Sequence, residues 1–319
     1  MRRLFRSNPG IVGCEARSDH WLLAHVVPGR RPRVEQLRQI PQPALSAGHL
    51  RQLAVDLRLH NVPWVWVLPH DHYQLMLVDV PEVPEEEIHS ALRWRVKDII
   101  SFPLEEAAVD TLLLPTEAFR GRSRMAFAVV TRRDQTEPVQ TAFGRAGLRL
   151  RSIDVADTAL RTLSQHSSQH PATAILKVDH EQSFLDANYQ GELCLNRSLS
   201  VTLDDLLQDN AEPMTDQDLQ LEAPDTLRRD TLALELQRSF DYFETQLGLG
   251  TLQELRLVAD KPLPDDLFDF LSDRFRLQAG PLALSDHLDF GPQTELENHD
   301  QYALAIGGAL QWLGSGGRQ

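Results

Sequence analysis

Cysteine is scarce in this chain: Cys14 and Cys194 are the only two in 319 residues. So distant a pair supplies neither a disulfide framework nor the close spacing of a zinc site, and both are expected as buried free thiols on strands. Long apolar runs are missing too. No stretch approaches the roughly 20 residues needed to cross a bilayer, and the N-terminus lacks the apolar core of a signal peptide, which predicts a cytoplasmic protein. Positive charge is short: 32 Lys and Arg stand against 46 Asp and Glu, a formal net charge of −14. Such a surface repels a phosphate backbone, so nucleic acid is excluded as the expected partner. The basic clusters present (Arg2, Arg3, Arg6; Arg30, Arg31, Arg33; Arg120, Arg122, Arg124) are short and read as solvated loops. Neither a GxSxG nor a Walker A sequence occurs. His70 and His72 flank Asp71 with no further His or Cys nearby, which suits a polar turn at a strand end better than a metal site.

What is present is an ordinary globular balance, 42% apolar and 24% charged, over a length that suits about two domains. The runs "IVGCEA", "WLLAHVV" and Val34 to Ile40 predict three short strands. A helix follows, with Ser46 as N-cap and Leu50, Leu53, Ala54 and Leu57 at helical spacing, then the buried strand "VPWVWVL". After residue 172 the same order recurs: "TAILKV", "SFLDANY", a turn at Gly191, "ELCLNRSLSV", a helix and "LQELRLVA". The long helix is expected from about Asp225, with Leu232, Leu236, Phe240, Phe243 and Leu247 on one stripe. The acidic stretch before it reads as a loop or small subdomain. The resulting expectation is an α/β, actin-like (ribonuclease-H-like) duplicated fold. Its first half would be 1–71 with 150–171 and its second half 172–319, of which about 203–250 form a reduced helical subdomain.

Residues 72–149 interrupt that symmetry with strands and helices of their own, a compact inserted α+β subdomain. Its first helix has Pro84 at the start and Glu85, Glu86 and Glu87 in the first turn, where carboxylates favour the positive helix end. Ile88, Leu92, Val96 and Ile99 are expected to line its buried face, and Pro103 forbids continuation. Trp94 falls off that stripe beside Arg93 and Lys97, marking the helix as an interface. The segment "SQHSSQH" at 164–170 reads as a polar connector between the halves.

The segment "EEEIHSALRWRVKDIISFPLEEAAVDTLLLP" resembles PilM, the cytoplasmic actin-like family of type IV pilus assembly, and "LRSIDVADTALRTL", "NRSLSV", "LALELQRSFDYFETQ" and "YALAIGGAL" follow in that family's order. The resemblance covers nearly the whole chain. Its compact length is most similar to the MshI branch, of mannose-sensitive haemagglutinin (MSHA) pili, with the GspL cytoplasmic domain of type II secretion as a cousin. The resemblance implies a scaffold on the cytoplasmic side of the inner membrane that holds the N-terminal tail of a bitopic PilN-like partner, and contact with a pilus motor ATPase. It also implies a cleft for that tail between the first half and the inserted subdomain. Trp94, Ile99, Phe102 and Pro103 are the expected partner-binding residues.

The resemblance further implies where ATP with magnesium would sit, and there the chain departs from the family. Glu15, Ala16, Arg17 and Ser18 stand where the family has Asp-Ile-Gly-Ser, so Arg17 brings a side chain to a place where backbone meets phosphate. Lys177 and Asp179 fall on the second loop's Asp and Gly positions. Ala259, Asp260 and Lys261 replace glycines at the adenosine turn. The expectation is a degenerate nucleotide site, no cofactor and no ATPase activity; the alternative is a nucleotide-binding actin-like ATPase of pilus assembly that holds ATP with magnesium.

Overall fold

A computed structural model describes residues 9–41, 44–119, 123–207, 224–294 and 299–313. Arg2, Arg3, Arg6, Arg120, Arg122 and residues 208–223 of the acidic connection lie outside the described residues. The chain divides into two units: Met1–Leu113, Met125–Leu163 and Leu284–Gln319 form the first, and Leu114–Arg124 with Ser164–Ala283 form the second.

In the first unit, β1 (Ile11–Ala16), β2 (His20–Val27) and β3 (Arg33–Pro41) form an antiparallel trio. Helix α1 (Ala47–Asp56) begins as the sequence predicts, with the Ser46 hydroxyl accepting from the His49 amide. It leads into β4 (Trp64–Leu68), whose five residues are all buried because it lies between β1 and β8 (Leu150–Val155), parallel to both. With β14 (Asp289–Gln293) added beside β3, the sheet order is β14-β3-β2-β1-β4-β8.

Helix α9 (Ala303–Leu313) packs on β1, β2 and β4 of this same sheet. Gly13 on β1 permits the approach, since a Cβ there would lie 1.8 Å from the Ala305 carbonyl oxygen. This corrects the expected boundary at 172–319: residues from Leu284 onward return to the first unit, because β14 pairs with β3 and α9 covers the first sheet.

The inserted strands β5 (Tyr73–Asp79), β6 (Ala107–Leu113) and β7 (Met125–Arg132) make a second sheet of order β5-β7-β6 in this unit. His70 to His72 form a single 3₁₀ turn before β5. Helix α2 (Ile88–Arg95) packs on the sheet through Ile88, Leu92 and Val96, which bury against Val78, Ala107, Ala128 and Val130. Each such apolar side chain contributes about 1.5–3 kcal/mol on burial. The stripe continues at Ile100, four residues beyond Val96 and bonded to its carbonyl, whereas Ile99 points outward and is 55% exposed. The repeat is i, i+4 throughout, which corrects the expected role of Ile99.

Helix α3 (Arg133–Ala146), ended by Gly147 at φ 71°, sets Phe143 edge-on to Trp64 and Trp66 of β4 and so ties the insertion to the six-stranded sheet. Helix α4 (Ala156–Ser167) follows β8 and includes part of the predicted 164–170 connector.

The second unit repeats the first plan. Strands β9 (Ala172–Val178), β10 (Ser183–Tyr189) and β11 (Glu192–Leu199) are antiparallel, and β12 (Glu254–Ala259) and β13 (Gln278–Pro281) add in parallel to give β11-β10-β9-β12-β13. Gln190 and Gly191, both at positive φ, make the two-residue turn between β10 and β11. Helix α5 (Leu203–Leu207) starts the acidic connection, α6 (Pro224–Thr245) buries Leu232, Leu236 and Phe243, and α7 (Asp265–Phe275) follows β12. Residues 114–124, expected within the insertion, join this unit through a bond from the Phe119 amide to the Leu247 carbonyl. Cys14 and Cys194 are both buried free thiols, the latter pushed up to about 12 by burial.

Candidate functional site

The first unit contains a groove of about 800 Å³. One wall is β8 with the turn before it, Leu148 to Ile153, and the opposite wall is β6 at Ala108, Val109 and Asp110. Val129 and Thr131 of β7 supply the sheet face between them, and Thr136, Gln140 and Gly144 of α3 close one side. Val155 at the end of β8, Leu68 at the end of β4 and His89 in the first turn of α2 complete the lining. The walls are the outermost strands of two different sheets, β8 of the six-stranded and β6 of the three-stranded one. The groove therefore exists because α3 holds the two sheets side by side without joining them.

Charge is sparse and placed at the rims. His89 Nδ1 lies 3.8 Å from Asp110 Oδ1, and Arg149 and Arg151 stand on the β8 side. Arg151 is laid over the Trp312 ring at 4.6 Å, and the Trp312 indole Nε1 donates to Asp154 Oδ2 at 2.8 Å. The Ser152 hydroxyl donates to the other oxygen of Asp154. Burial pushes the Asp154 carboxyl up from its ordinary range; the Ser152 and Trp312 bonds oppose the shift, and the charge of Asp110 adds to it. Trp312 of α9 thus fixes the conformation of β8 from behind. Deeper in the unit, the Tyr73 hydroxyl donates to the fully buried Asp157, with His70 Nε2 at 3.9 Å from that carboxylate.

The residues expected to bind a partner are elsewhere. Trp94 is 65% exposed and sits about 140° around α2 from the groove-lining His89, on the face opposite the buried stripe. Lys97 Nζ stands 5.7 Å from its ring centre. Ile99 is exposed, Phe102 packs at the edge of the α2 core beneath the Arg132 guanidinium, and Pro103 precedes a 3₁₀ turn at Leu104–Glu106. None of the four lines the groove. The residues that do line it have no sequence signature, because β8 carries no motif. Its one signal was the alternation Leu148-Arg149-Leu150-Arg151, a charged pattern common on sheet edges.

At the first degenerate loop, Arg17 Nε bonds Glu15 Oε1 at 2.7 Å and its Nη2 reaches the Gln301 carbonyl, with Ser18 exposed in the β1–β2 turn. At the corresponding place in the second unit, Lys177 Nζ pairs with Asp179 Oδ1 at 2.5 Å, and the Asp179 carbonyl accepts from the Leu203 amide. Lys177 is 2% exposed. Ala259 ends β12 and is buried, and Asp260 follows it. At the first two loops the cationic side chains, Arg17 and Lys177, are each paired with an acidic residue two positions away.

No family model matches the chain, and no curated protein matches it. Solved structures do. The chain is similar to a PilM-PilN type IV pilus biogenesis complex, with 21% identity and a TM-score of 0.69 over 96% of this chain and 99% of that one. It is also similar to the cytoplasmic domain of Epsl, an inner membrane component of the type II secretion system of Vibrio cholerae, with 11% identity and a TM-score of 0.50 over 94% of each chain. Together with the matching strand orders of its two units, these likenesses establish the architecture: a duplicated actin-like α/β fold carrying an inserted α+β subdomain.

Proposed function

We propose that this protein is a non-catalytic, actin-like scaffold of a type IV pilus assembly complex of the MSHA kind. It works at the cytoplasmic face of the inner membrane, where it holds the N-terminal tail of a PilN-like bitopic partner. The observation that carries this reading is the groove of about 800 Å³ bordered by β6 and β8, strands of two different sheets, where Val109, Val129 and Leu148 stand beside Asp110, Arg149 and Arg151. Such a groove suits an extended polypeptide better than a compact metabolite. The likeness to a structure described as a PilM-PilN complex supports the choice of partner. Among the described residues no helix is long and apolar enough to cross a membrane, so attachment through a bitopic partner suits the chain.

The non-catalytic part rests on the loops. Glu15 with Arg17, and Lys177 with Asp179, form ion pairs within the strand ends where phosphates and metal would be received. Losing one well-placed transition-state group commonly costs about 100-fold or more in rate, and here several positions have changed together. A GspL-type platform in type II secretion is a second reading, favoured by the Epsl likeness. Calorimetry with the full chain tests both parts. The PilN-like tail peptide is expected to bind and magnesium-ATP is not; ATP turnover overturns the non-catalytic reading, and a silent tail peptide overturns the scaffold reading.

A further inference from the structure

We infer that the groove takes its occupant as an added β-strand, hydrogen-bonded through the main chain to the open edge of β8; this rests on the partner-tail reading above. Three observations carry it. Among the described residues β8 ends the six-stranded sheet and β6 ends the three-stranded one, so each has a pairing partner on one side only. Both walls are lined by consecutive residues, Leu148 to Ile153 and Ala108 to Asp110. Side chains along a strand alternate between faces, so an unbroken run facing one space means that the backbone edge, and not one set of side chains, is turned towards it.

The third observation is how the β8 edge is guarded. Natural edges are blunted by charge, bulges or a cover. Here Arg149 and Arg151, with a register shift opposite Trp64 and Val65, blunt only the start of β8. The remainder, from Ser152 on, is guarded by its place in the groove wall, with β6 and α3 lining the same space. Trp312 and Ser152 hold Asp154 from behind, so the later part of the strand is fixed before anything binds. The six residues of β8 offer roughly 20 Å of edge at about 3.3 Å per residue, enough to pair with a tail segment of similar length. Its alternate side chains would meet the apolar surface of Val109, Val129 and Leu148.

The test is a fluorescence-anisotropy titration of the full chain with the cytoplasmic tail peptide of the PilN-like protein, alongside a series carrying one N-methylated amide at each position. Each methylation that removes a main-chain bond is expected to weaken binding about five- to tenfold, and the sensitive positions should alternate. Hydrogen exchange of the β8 amides should slow when the unmodified peptide is bound. A flat methylation profile, or sensitivity at successive positions, overturns strand addition and leaves the partner-tail reading standing. Failure of the unmodified peptide to bind overturns that reading and this inference together.

Discussion

Gly144 offers a substitution whose effects on stability and on binding should carry opposite signs. It lies within α3, three residues before the left-handed Gly147, and is one of the residues that line the groove. A Cβ placed there meets nothing within 4 Å. Gly144→Leu replaces a poor helix former by a good one, worth about 0.8 kcal/mol, and should raise Tm by about 1–3 °C in a thermal melt. The same side chain projects into the space that the tail would fill. Forcing extra methylenes into an occupied site costs about 1–3 kcal/mol, so the tail peptide should bind at least about fivefold more weakly in an anisotropy titration. Gly144→Ala separates the two effects: it should keep most of the gain in Tm and lose little affinity. Unchanged affinity in the Leu variant would show that the tail does not use this groove. A lower Tm would show that this face of α3 is not open.

Trp94→Ala should leave both Tm and tail affinity within about 0.5 kcal/mol of wild type, because the ring is exposed and turned away from the groove; a large loss of binding would move the site to the outer face of α2. Asp154 has a raised carboxyl pKa in the folded state, so it favours folding at low pH and that contribution is lost as pH rises from the usual carboxylate range through its shifted value. Asp154→Asn keeps an acceptor for Trp312 and should flatten that fall in denaturation curves taken across acidic pH, and an unchanged slope would refute the assignment. Asp179→Ala leaves the Lys177 ammonium buried without its carboxylate and should cost about 3 kcal/mol by chemical denaturation, whereas Lys177→Met should cost less than about 1 kcal/mol. Equal costs for the two would refute the reading of Asp179 as the group that neutralises the buried Lys177.

Local chemistry made much of the fold legible. The two strand trios, the Ser46 cap and the Gly191 turn each depend on residues within a few positions of one another, so pattern and propensity are enough to place them. The stripe of α2 was placed almost correctly, and it failed where two isoleucines adjoin: only a fixed i, i+4 repeat separates Ile100 from Ile99. The return of β14 and α9 to the first sheet was hidden because pairing between Asp289–Gln293 and Arg33–Pro41 leaves no local trace. The outward angle of Trp94 was readable, but its assignment to the groove was carried over by segment, and the geometry of α2 turns it elsewhere. The groove had no residue-type signature because its walls are edge strands of two different sheets, β6 and β8, whose approach leaves no local trace in the sequence.

The first unit draws on three separated stretches of chain, and its helix α9 is made after every strand of both units. Until residues 303–313 emerge, β1, β2 and β4 have one apolar face without its helix, while every strand of the second unit has already been made. The order of synthesis and the order of completion are thus reversed: the later half can consolidate first, and the half with the groove closes last. A chain cut before Trp312 would therefore be felt at β8, through the lost bond to Asp154, far along the sequence from the cut.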